Sequence, residues 1–244
     1  MISKMLRSLA FALFLLPAAA FAALPNPAAP VRYMVLGDSL AAGYKAMPAT
    51  AGYAYQLYLG RAFGDYTNVL FDNASVPGAT SADLLNFQLP QVQRFQPNVV
   101  TISVGGNDLL ALLTSPDPIG ELPGVLAGFA QNMAGSLTLL CLGMPEGGRI
   151  FVQNLYEIPE IPLTQQAVPL FNQVLNQTVF AVGQSQACVG RSLGVADVYS
   201  AFRGEQGLLL IERYQKKGIE VLEVHPTNKG HRVIEAAFRA LIAQ

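Results

Sequence analysis

Charge, histidine and cysteine are scarce in this 244-residue sequence, and tryptophan is absent. Charged residues make up 13% of the chain and the formal net charge is −1, so no basic excess indicates a nucleic-acid partner. With only two histidines, His225 and His231, a nucleophile that needs an imidazole base has few possible partners. Hydrophobic residues, by contrast, make up 52% of the chain, which is enough for one large buried core.

The first 22 residues have the pattern of a secretory signal peptide. Lys4 and Arg7 precede an apolar stretch, and small residues flank a cleavage site that ends at Ala22. This stretch has about 16 apolar residues, fewer than the ~20 that span a bilayer, and we expect no other run to approach that length. We therefore expect cleavage near Ala22, a secreted or periplasmic protein, and no stable membrane insertion.

Residues 23–30 are rich in proline and predict an extended lead-in, whereas residues 31–244 predict a single domain. Within that domain, strand-like apolar runs alternate with helical segments five times. Because the runs are apolar without alternation, they indicate an α/β protein with a parallel sheet that is covered on both faces. The predicted strands cover residues 33–37, 68–72, 99–104, 149–155 and 193–198, the predicted helices cover 51–63, 81–94, 122–140, 164–182 and 227–242, and a hairpin is predicted at 208–224.

Three of the predicted strands end in turns that contain glycine and polar residues. The carboxyl ends of parallel strands meet at one edge of a sheet, where open α/β sheets bind ligands. We expect Ser39, Gly78 and Asn107 to meet there. A serine hydroxyl is a nucleophile once a base takes its proton, and the N–H groups of Ser39 and Gly78 with the Asn107 amide could stabilise an oxyanion. The turns read Gly37-Asp38-Ser39-Leu40, Ser75-Val76-Pro77-Gly78 and Gly105-Gly106-Asn107-Asp108.

His225 is the better candidate for the base. It lies in Val224-His225-Pro226-Thr227, directly before the last predicted helix, where a loop can direct the ring across the sheet edge toward Ser39. His231 lies inside that helix, and we expect it to pack or to cap rather than to catalyse.

These motifs, in this order, resemble those of the SGNH hydrolases, also called GDSL esterases and lipases, over about residues 33–233. The resemblance implies a flavodoxin-like three-layer α/β/α fold with a five-stranded parallel sheet. It also implies a single catalytic domain that hydrolyses carboxylic esters without a metal or another cofactor. By the same resemblance, Ser39 is the nucleophile, His225 is the base, and Gly78 and Asn107 complete the oxyanion hole.

One position departs from the family pattern, which has an aspartate three residues before the histidine where this chain has Leu222. Three groups remain candidates for orienting His225: Glu223, Asp197, or a backbone carbonyl near Leu222. If residues 219–225 are extended, positions two apart point to the same side, and Glu223 then lies beside His225.

The predicted substrate is a small-molecule or lipid ester. The protein itself is expected to be a monomer. Leu109 and Leu110 directly follow the asparagine motif and predict an acyl-binding wall, together with Leu112, Leu113 and the leucines at 208–211. The alternatives are a carbohydrate O-acetylesterase, a lysophospholipase or thioesterase of the same fold, and a catalytically silent lipid- or glycan-binding module.

A second serine motif, Gly190-Arg191-Ser192-Leu193-Gly194, matches the nucleophile elbow of α/β-hydrolases. An elbow needs a strand before the serine and a helix after it. Ser192 instead follows a predicted helix and begins a predicted strand, so we reject this site.

A disulfide between Cys141 and Cys188 is predicted because an exported chain with two cysteines can pair them. Both cysteines fall just beyond helix ends that lead into neighbouring strands. In a right-handed topology these two helices lie on one face and end at the same rim, away from the catalytic edge.

Overall fold

The computed structural model describes residues 30–63, 69–205, 209, 214–216, 219–221 and 223–244. The predicted signal peptide at 1–22 and nearly all of the lead-in at 23–30 lie outside the described residues.

Five parallel strands form one sheet in the order β2-β1-β3-β4-β5, which is the flavodoxin-like order. The sheet confirms the predicted fold class. Its register places Gly37 at the end of β1 beside Ser103 at the end of β3. The strands are β1 Val31–Gly37, β2 Val69–Asn73, β3 Val99–Ser103, β4 Arg149–Gln153 and β5 Ser192–Ala196.

Helices cover both faces of the sheet. α3, α5 and α6 pack on one face, while α1, α7 and α8 pack on the other. The helices are α1 Tyr53–Leu59, α2 Ser81–Asp83, α3 Leu89–Phe95, α4 Gly106–Ala111, α5 Pro118–Gly143, α6 Pro162–Gly183, α7 Val198–Phe202 and α8 Asn228–Ile242.

Alternate residues of β1 contribute to two separate hydrophobic clusters, one on each side of the sheet. Met34 and Leu36 face the α5–α6 side, and Tyr33 and Val35 face the α1–α8 side. All four side chains are fully buried. This two-sided burial explains why the strand is a continuous apolar run.

The second helix begins at Ser81, as predicted, whereas α5 begins earlier than predicted. Thr80 caps the second helix, because its side chain and Asp83 form a reciprocal capping box. α5 begins at Pro118 rather than at residue 122. Its start combines an Asp117 side chain that accepts the Gly120 N–H at 3.0 Å with a proline at the first helical position, where no N–H is needed.

α5 is long and apolar enough, by length and composition, to cross a membrane, and it is the one such helix among the described residues. The expectation that no run beyond the N-terminus approaches that length was therefore wrong. The predicted apolar stripe of this helix is buried against the sheet and α6, through Leu122, Phe129, Met133, Leu137 and Leu140.

Two short antiparallel strands, β6 Tyr214–Lys216 and β7 Ile219–Val221, form the predicted hairpin just before His225. Their pairing confirms the hairpin, with shorter arms than the predicted range of 208–224.

The Cys141–Cys188 disulfide is present, with 4.8 Å between the Cα atoms. Cys141 lies in the last turn of α5, and Cys188 lies in a short 3₁₀ turn that follows α6. Both segments lead into the amino ends of strands, so the bond lies at the edge of the sheet opposite Ser39.

Candidate active site

Ser39 lies in a sharp turn that begins where β1 meets β3. Gly37 has φ +123°, and a Cβ atom there would lie 1.9 Å from the Ser103 carbonyl oxygen, so only glycine fits. The next residue, Asp38, donates its N–H to that same oxygen at 2.8 Å. The chain then turns back, and the Tyr44 N–H donates to the Ser39 carbonyl at 2.9 Å.

The Gln88 side chain stabilises the same turn through two hydrogen bonds to the Gly37 backbone. Its side-chain oxygen accepts the Gly37 N–H at 2.7 Å, and its side-chain nitrogen donates to the Gly37 carbonyl at 2.8 Å. Gln88 ends a five-residue stretch of π-helical geometry, Leu84–Gln88, between α2 and α3. Such stretches occur frequently at functional sites. Nothing in the local sequence pattern indicated this contact.

Asp38 is buried beneath the turn. Its carboxylate accepts hydrogen bonds from the Leu40 N–H at 3.0 Å and from the Ser103 hydroxyl at 3.3 Å. Burial outweighs these bonds and raises the pKa of the Asp38 carboxyl to about 7. The residue before Ser39 therefore titrates near neutral pH.

Gly78 and Asn107 come from the ends of β2 and β3 and line the same cavity as Ser39. Gly78 has φ +88°, and the space where a Cβ atom would lie is open. The Asn107 side-chain nitrogen donates to the Ala79 carbonyl at 2.9 Å, which leaves its second N–H bond for another acceptor. Asp108 fastens the two turns together by accepting the Ser81 N–H at 2.9 Å.

The His225 ring lies between Ser39 and Glu223. Its Nε2 is 2.8 Å from the Ser39 Oγ, and its Nδ1 contacts the Glu223 Oε1. The same carboxylate oxygen accepts the N–H groups of Val224 at 3.0 Å and of His225 at 3.3 Å. Serine, imidazole and carboxylate thus form one continuous hydrogen-bonded chain.

The Glu223 side chain is 8% exposed, and this burial acts to raise its pKa. The hydrogen bond and charge of His225, with the two backbone N–H donors, outweigh burial and hold the pKa of Glu223 below its ordinary value. Glu223 is therefore an anion at neutral pH.

Asp197 and His231, the other titratable candidates, are engaged elsewhere. The Asp197 carboxylate accepts bonds from the Asn154 amide and from the Ser200 N–H at the start of α7. His231 is fully buried in α8, where its Nδ1 accepts the Tyr53 N–H at 3.4 Å. Burial lowers the pKa of His231 to about 4.

A cavity of about 290 Å³ opens beside Ser39 and has a mainly apolar lining. Leu109 and Leu110 are among its lining residues. Two polar groups of its wall bond to the protein, because the Tyr156 hydroxyl donates to the Val224 carbonyl at 2.9 Å and the Thr164 hydroxyl donates to the Ile158 carbonyl at 2.9 Å. The cavity therefore offers a mainly apolar surface beside Ser39 and His225.

Part of the predicted acyl-binding wall was wrong. Leu112 is buried in the core and Leu113 is on the surface, because the helix turns them away from the cavity. In the range 208–211 only Leu209 is described, and it is buried in the α1–α8 cluster. The loop after β4 supplies another part of the wall through Leu155, Tyr156 and Ile158. This loop could have been recognised from the sequence as part of the cavity, because it follows the carboxyl end of a predicted strand.

Ser192 is exposed at the first residue of β5, at the opposite edge of the sheet from Ser39. Among the described residues, no group of three or more His, Cys, Asp or Glu side chains could hold a metal ion.

Known structures share this fold. The lipase Lip_vut3 from a goat rumen metagenome is 22% identical, with a TM-score of 0.66 over 86% of this chain and 96% of that chain. Phospholipase A1 from Streptomyces albidoflavus NA297 is 18% identical, with a TM-score of 0.64 over 85% of this chain and 98% of that chain. The acetylxylan esterase Axe2 from Geobacillus stearothermophilus is 18% identical, with a TM-score of 0.62 over 87% and 94%.

No curated protein sequence matches this chain. The model of the GDSL-like Lipase/Acylhydrolase family, however, matches residues 35–233. That range contains every turn that lines the site, from Ser39 and Gly78 through Asn107 to His225. The chain belongs to the GDSL-like Lipase/Acylhydrolase family.

Proposed function

We propose that this protein is a secreted serine hydrolase that cleaves carboxylic esters of apolar acyl groups through an acyl-enzyme on Ser39. The observation that carries the proposal is the 2.8 Å separation of the Ser39 Oγ and the His225 Nε2, at the mouth of an apolar cavity. This geometry suits proton transfer from the hydroxyl to the imidazole.

In the first half-reaction, the Ser39 Oγ attacks the acyl carbon as the His225 Nε2 takes the hydroxyl proton. The negative charge on the carbonyl oxygen is stabilised by the N–H groups of Ser39 and Gly78 and by the Asn107 amide. When the tetrahedral intermediate collapses, the bond to the alcohol oxygen breaks and His225 protonates the leaving alcohol.

In the second half-reaction, water attacks the acyl-enzyme and His225 takes a proton from that water. Collapse of the second intermediate breaks the bond to the Ser39 Oγ, returns the proton to Ser39, and releases the acid. Throughout, the Glu223 carboxylate accepts the Nδ1–H of His225 and stabilises the imidazolium.

The apolar cavity supports medium acyl chains as substrates. Its volume of about 290 Å³ is close to the lower end of the range of about 300–1,000 Å³ for small-molecule pockets. A medium acyl chain would contact a mainly apolar wall there, whereas a sugar would face few unpaired polar groups. Export is supported by the N-terminal pattern and by the Cys141–Cys188 disulfide, which is typical of oxidising compartments.

The test of the function is hydrolysis of p-nitrophenyl esters by the wild-type protein and by Ser39→Ala. We expect wild-type turnover, and a loss of at least about a thousandfold in kcat with an unchanged circular dichroism spectrum for the variant. Equal rates for the two proteins would reject Ser39 as the nucleophile, and no turnover by either would favour a binding module.

Acyl-chain length tests the substrate class. We expect kcat/KM to rise from acetyl to about octanoyl, since each buried methylene contributes about 0.8 kcal/mol. Ile158 lines the cavity, so Ile158→Trp should reduce its volume and move the optimum to shorter chains while hydrolysis of acetyl esters is retained. A wild-type profile that peaks at acetyl and collapses by octanoyl would favour an O-acetylesterase.

A further inference from the structure

Lys45 contacts the carboxylate oxygen of Glu223 that His225 does not use. The Glu223 Oε1 contacts the His225 ring and two backbone N–H groups, while the Oε2 lies 3.5 Å from the Lys45 Nζ. The Glu223 side chain is 8% exposed and that of Lys45 is 35% exposed. A buried carboxylate loses hydration, and a nearby cation offsets part of that loss.

Lys45 also belongs to the turn that carries Ser39. The preceding residue, Tyr44, donates its N–H to the Ser39 carbonyl at 2.9 Å. A ring of contacts therefore runs from the Ser39 hydroxyl through His225 and Glu223 to Lys45, and returns through the backbone. The Tyr44 ring packs against the His225 ring, with 4.7 Å between their centroids.

The Lys45 backbone has φ +67°, in the left-handed region that residues with a Cβ atom seldom adopt. Such a conformation persists where surrounding contacts fix it, and it occurs frequently at functional sites. The ion pair with Glu223 is one contact that fixes it.

We propose that Lys45 is a positioning residue that acts through Glu223: its ammonium group holds the second carboxylate oxygen and offsets the buried charge, which keeps the His225 ring directed at Ser39. This inference rests on the proposed function, since it assigns a role to a residue beside the same site. Lys45 itself does not contact the reacting atoms.

The charge around His225 determines how the proposal is tested. If Lys45 loses its ammonium, the negative charge of Glu223 is less compensated and favours the imidazolium form of His225. The base is then neutral only at higher pH, so the acidic limb of the kcat/KM profile moves upward. Among the residues that the structure describes, the other titratable groups around the ring are Asp38 and Tyr44 from the turn after β1, Tyr156 from the loop after β4, and His231 from α8.

The experiment compares wild type, Lys45→Met and Lys45→Arg on a short p-nitrophenyl ester across the pH range in which imidazole titrates. We expect Lys45→Met to move the acidic limb upward by roughly 0.5 to 1 pH unit and to lower kcat about tenfold, with KM within about twofold. Lys45→Arg retains the charge and should stay near the wild-type profile.

Lys229→Met is the matched control. The Lys229 Nζ lies 3.6 Å from the Glu205 Oε2, and both side chains are exposed. This variant removes an ion pair of similar length by the same substitution, and it should leave the pH profile unchanged. A shift equal to that of Lys45→Met would attribute the effect to general surface charge and overturn the proposal.

Lys45→Gly separates the charge from the backbone, because glycine adopts φ +67° without strain. The same upward shift in this variant supports the role of the ammonium group. The proposal is overturned if either Lys45→Gly or Lys45→Met leaves the acidic limb unmoved and kcat within twofold of wild type. Hydrolysis by the wild-type protein would in that case still support the proposed function. A wild-type protein without esterase activity would instead reject the function from which this inference starts.

Discussion

Glu223 lies two residues before His225, whereas the family pattern has an aspartate three residues before. Position 223 is on the same side of an extended chain as the histidine, and glutamate has one more methylene than aspartate. The side chain can therefore fold back over its own backbone, where its Oε1 accepts the N–H groups of Val224 and His225 and contacts the ring. The local rule of alternation placed Glu223 beside His225, and it left Asp197 and a backbone carbonyl open as alternatives.

We expect Glu223→Gln to lower kcat for ester hydrolysis by about a hundredfold or more, because a neutral amide stabilises the imidazolium poorly. The fold should persist, since the amide oxygen can still accept both backbone N–H groups. Steady-state assays measure the change in kcat, and a urea unfolding curve for each protein measures any change in stability.

Asp197→Asn is the control for that change, because the Asp197 carboxylate bonds to Asn154 and Ser200 instead of His225. It should leave stability nearly unchanged, because asparagine caps a helix about as well as aspartate does, and it should leave kcat unchanged. Near-wild-type activity of Glu223→Gln would contradict the triad and favour a dyad in which a main-chain carbonyl orients His225.

Lys45 and Gln88 could not have been predicted in the same way. Lys45 reaches Glu223 from 178 positions away along the chain, and Gln88 reaches Gly37 from 51 positions away. Both contacts depend on an unusual local backbone, left-handed at Lys45 and π-helical before Gln88. Periodicity and motif spacing describe regular elements, so they carry no signal for either contact.

The elements themselves were largely predictable. The strands are buried on both faces, and a continuous apolar run is the direct result. Prediction failed mainly where elements begin and end. The predicted helix began at residue 122, yet Pro118 occupies a first helical position where proline is tolerated, and the helix continues through Pro123.

At the scale of elements, the Cys141–Cys188 disulfide joins α5 to the segment that enters β5, at the edge of the sheet away from the site. We expect the double variant Cys141→Ala, Cys188→Ala to lose about 4 kcal/mol of unfolding free energy, because its closed loop spans 47 residues. Urea unfolding measures this loss.

The same variant should keep its wild-type kcat at temperatures where it remains folded, because no residue of the disulfide lies at the carboxyl edge of the sheet. The contrary result would be a kcat that falls in proportion to stability even where circular dichroism shows a fully folded variant. It would mean that the disulfide at one edge of the sheet affects the site at the other edge.

At the scale of the whole molecule, two buried groups give opposite pH dependences of stability. The pKa of His231 falls from 6.5 to about 4 on burial, so its contribution is complete above pH 6.5 and is lost as pH falls toward 4. The pKa of Asp38 rises from 3.8 to about 7, so its contribution is complete below pH 3.8 and is lost as pH rises through 7. Between these limits the two effects largely cancel.

Asp38→Asn removes one of the two effects. The unfolding free energy of this variant, relative to wild type, should increase by about 2 to 4 kcal/mol between roughly pH 4 and pH 7, because the buried carboxyl no longer has to ionise. Urea unfolding at several pH values measures the difference. Asp83→Asn is the control, since the Thr80 hydrogen bonds lower the pKa of the Asp83 carboxyl and its effect should be constant over this range.

A pH-independent difference between Asp38→Asn and wild type would show that Asp38 is already ionised in the folded protein.

Ser39 and His225 are 186 positions apart, one just after the first strand of the sheet and the other just before the last helix. The catalytic contact therefore forms only when nearly the whole of this domain has been synthesised and α8 has docked against α1. A nascent chain that emerges from the ribosome has no competent site, however much of the sheet has already formed. In a refolding experiment, the return of hydrolysis therefore reports a contact between distant parts of the chain rather than the formation of any single strand or helix.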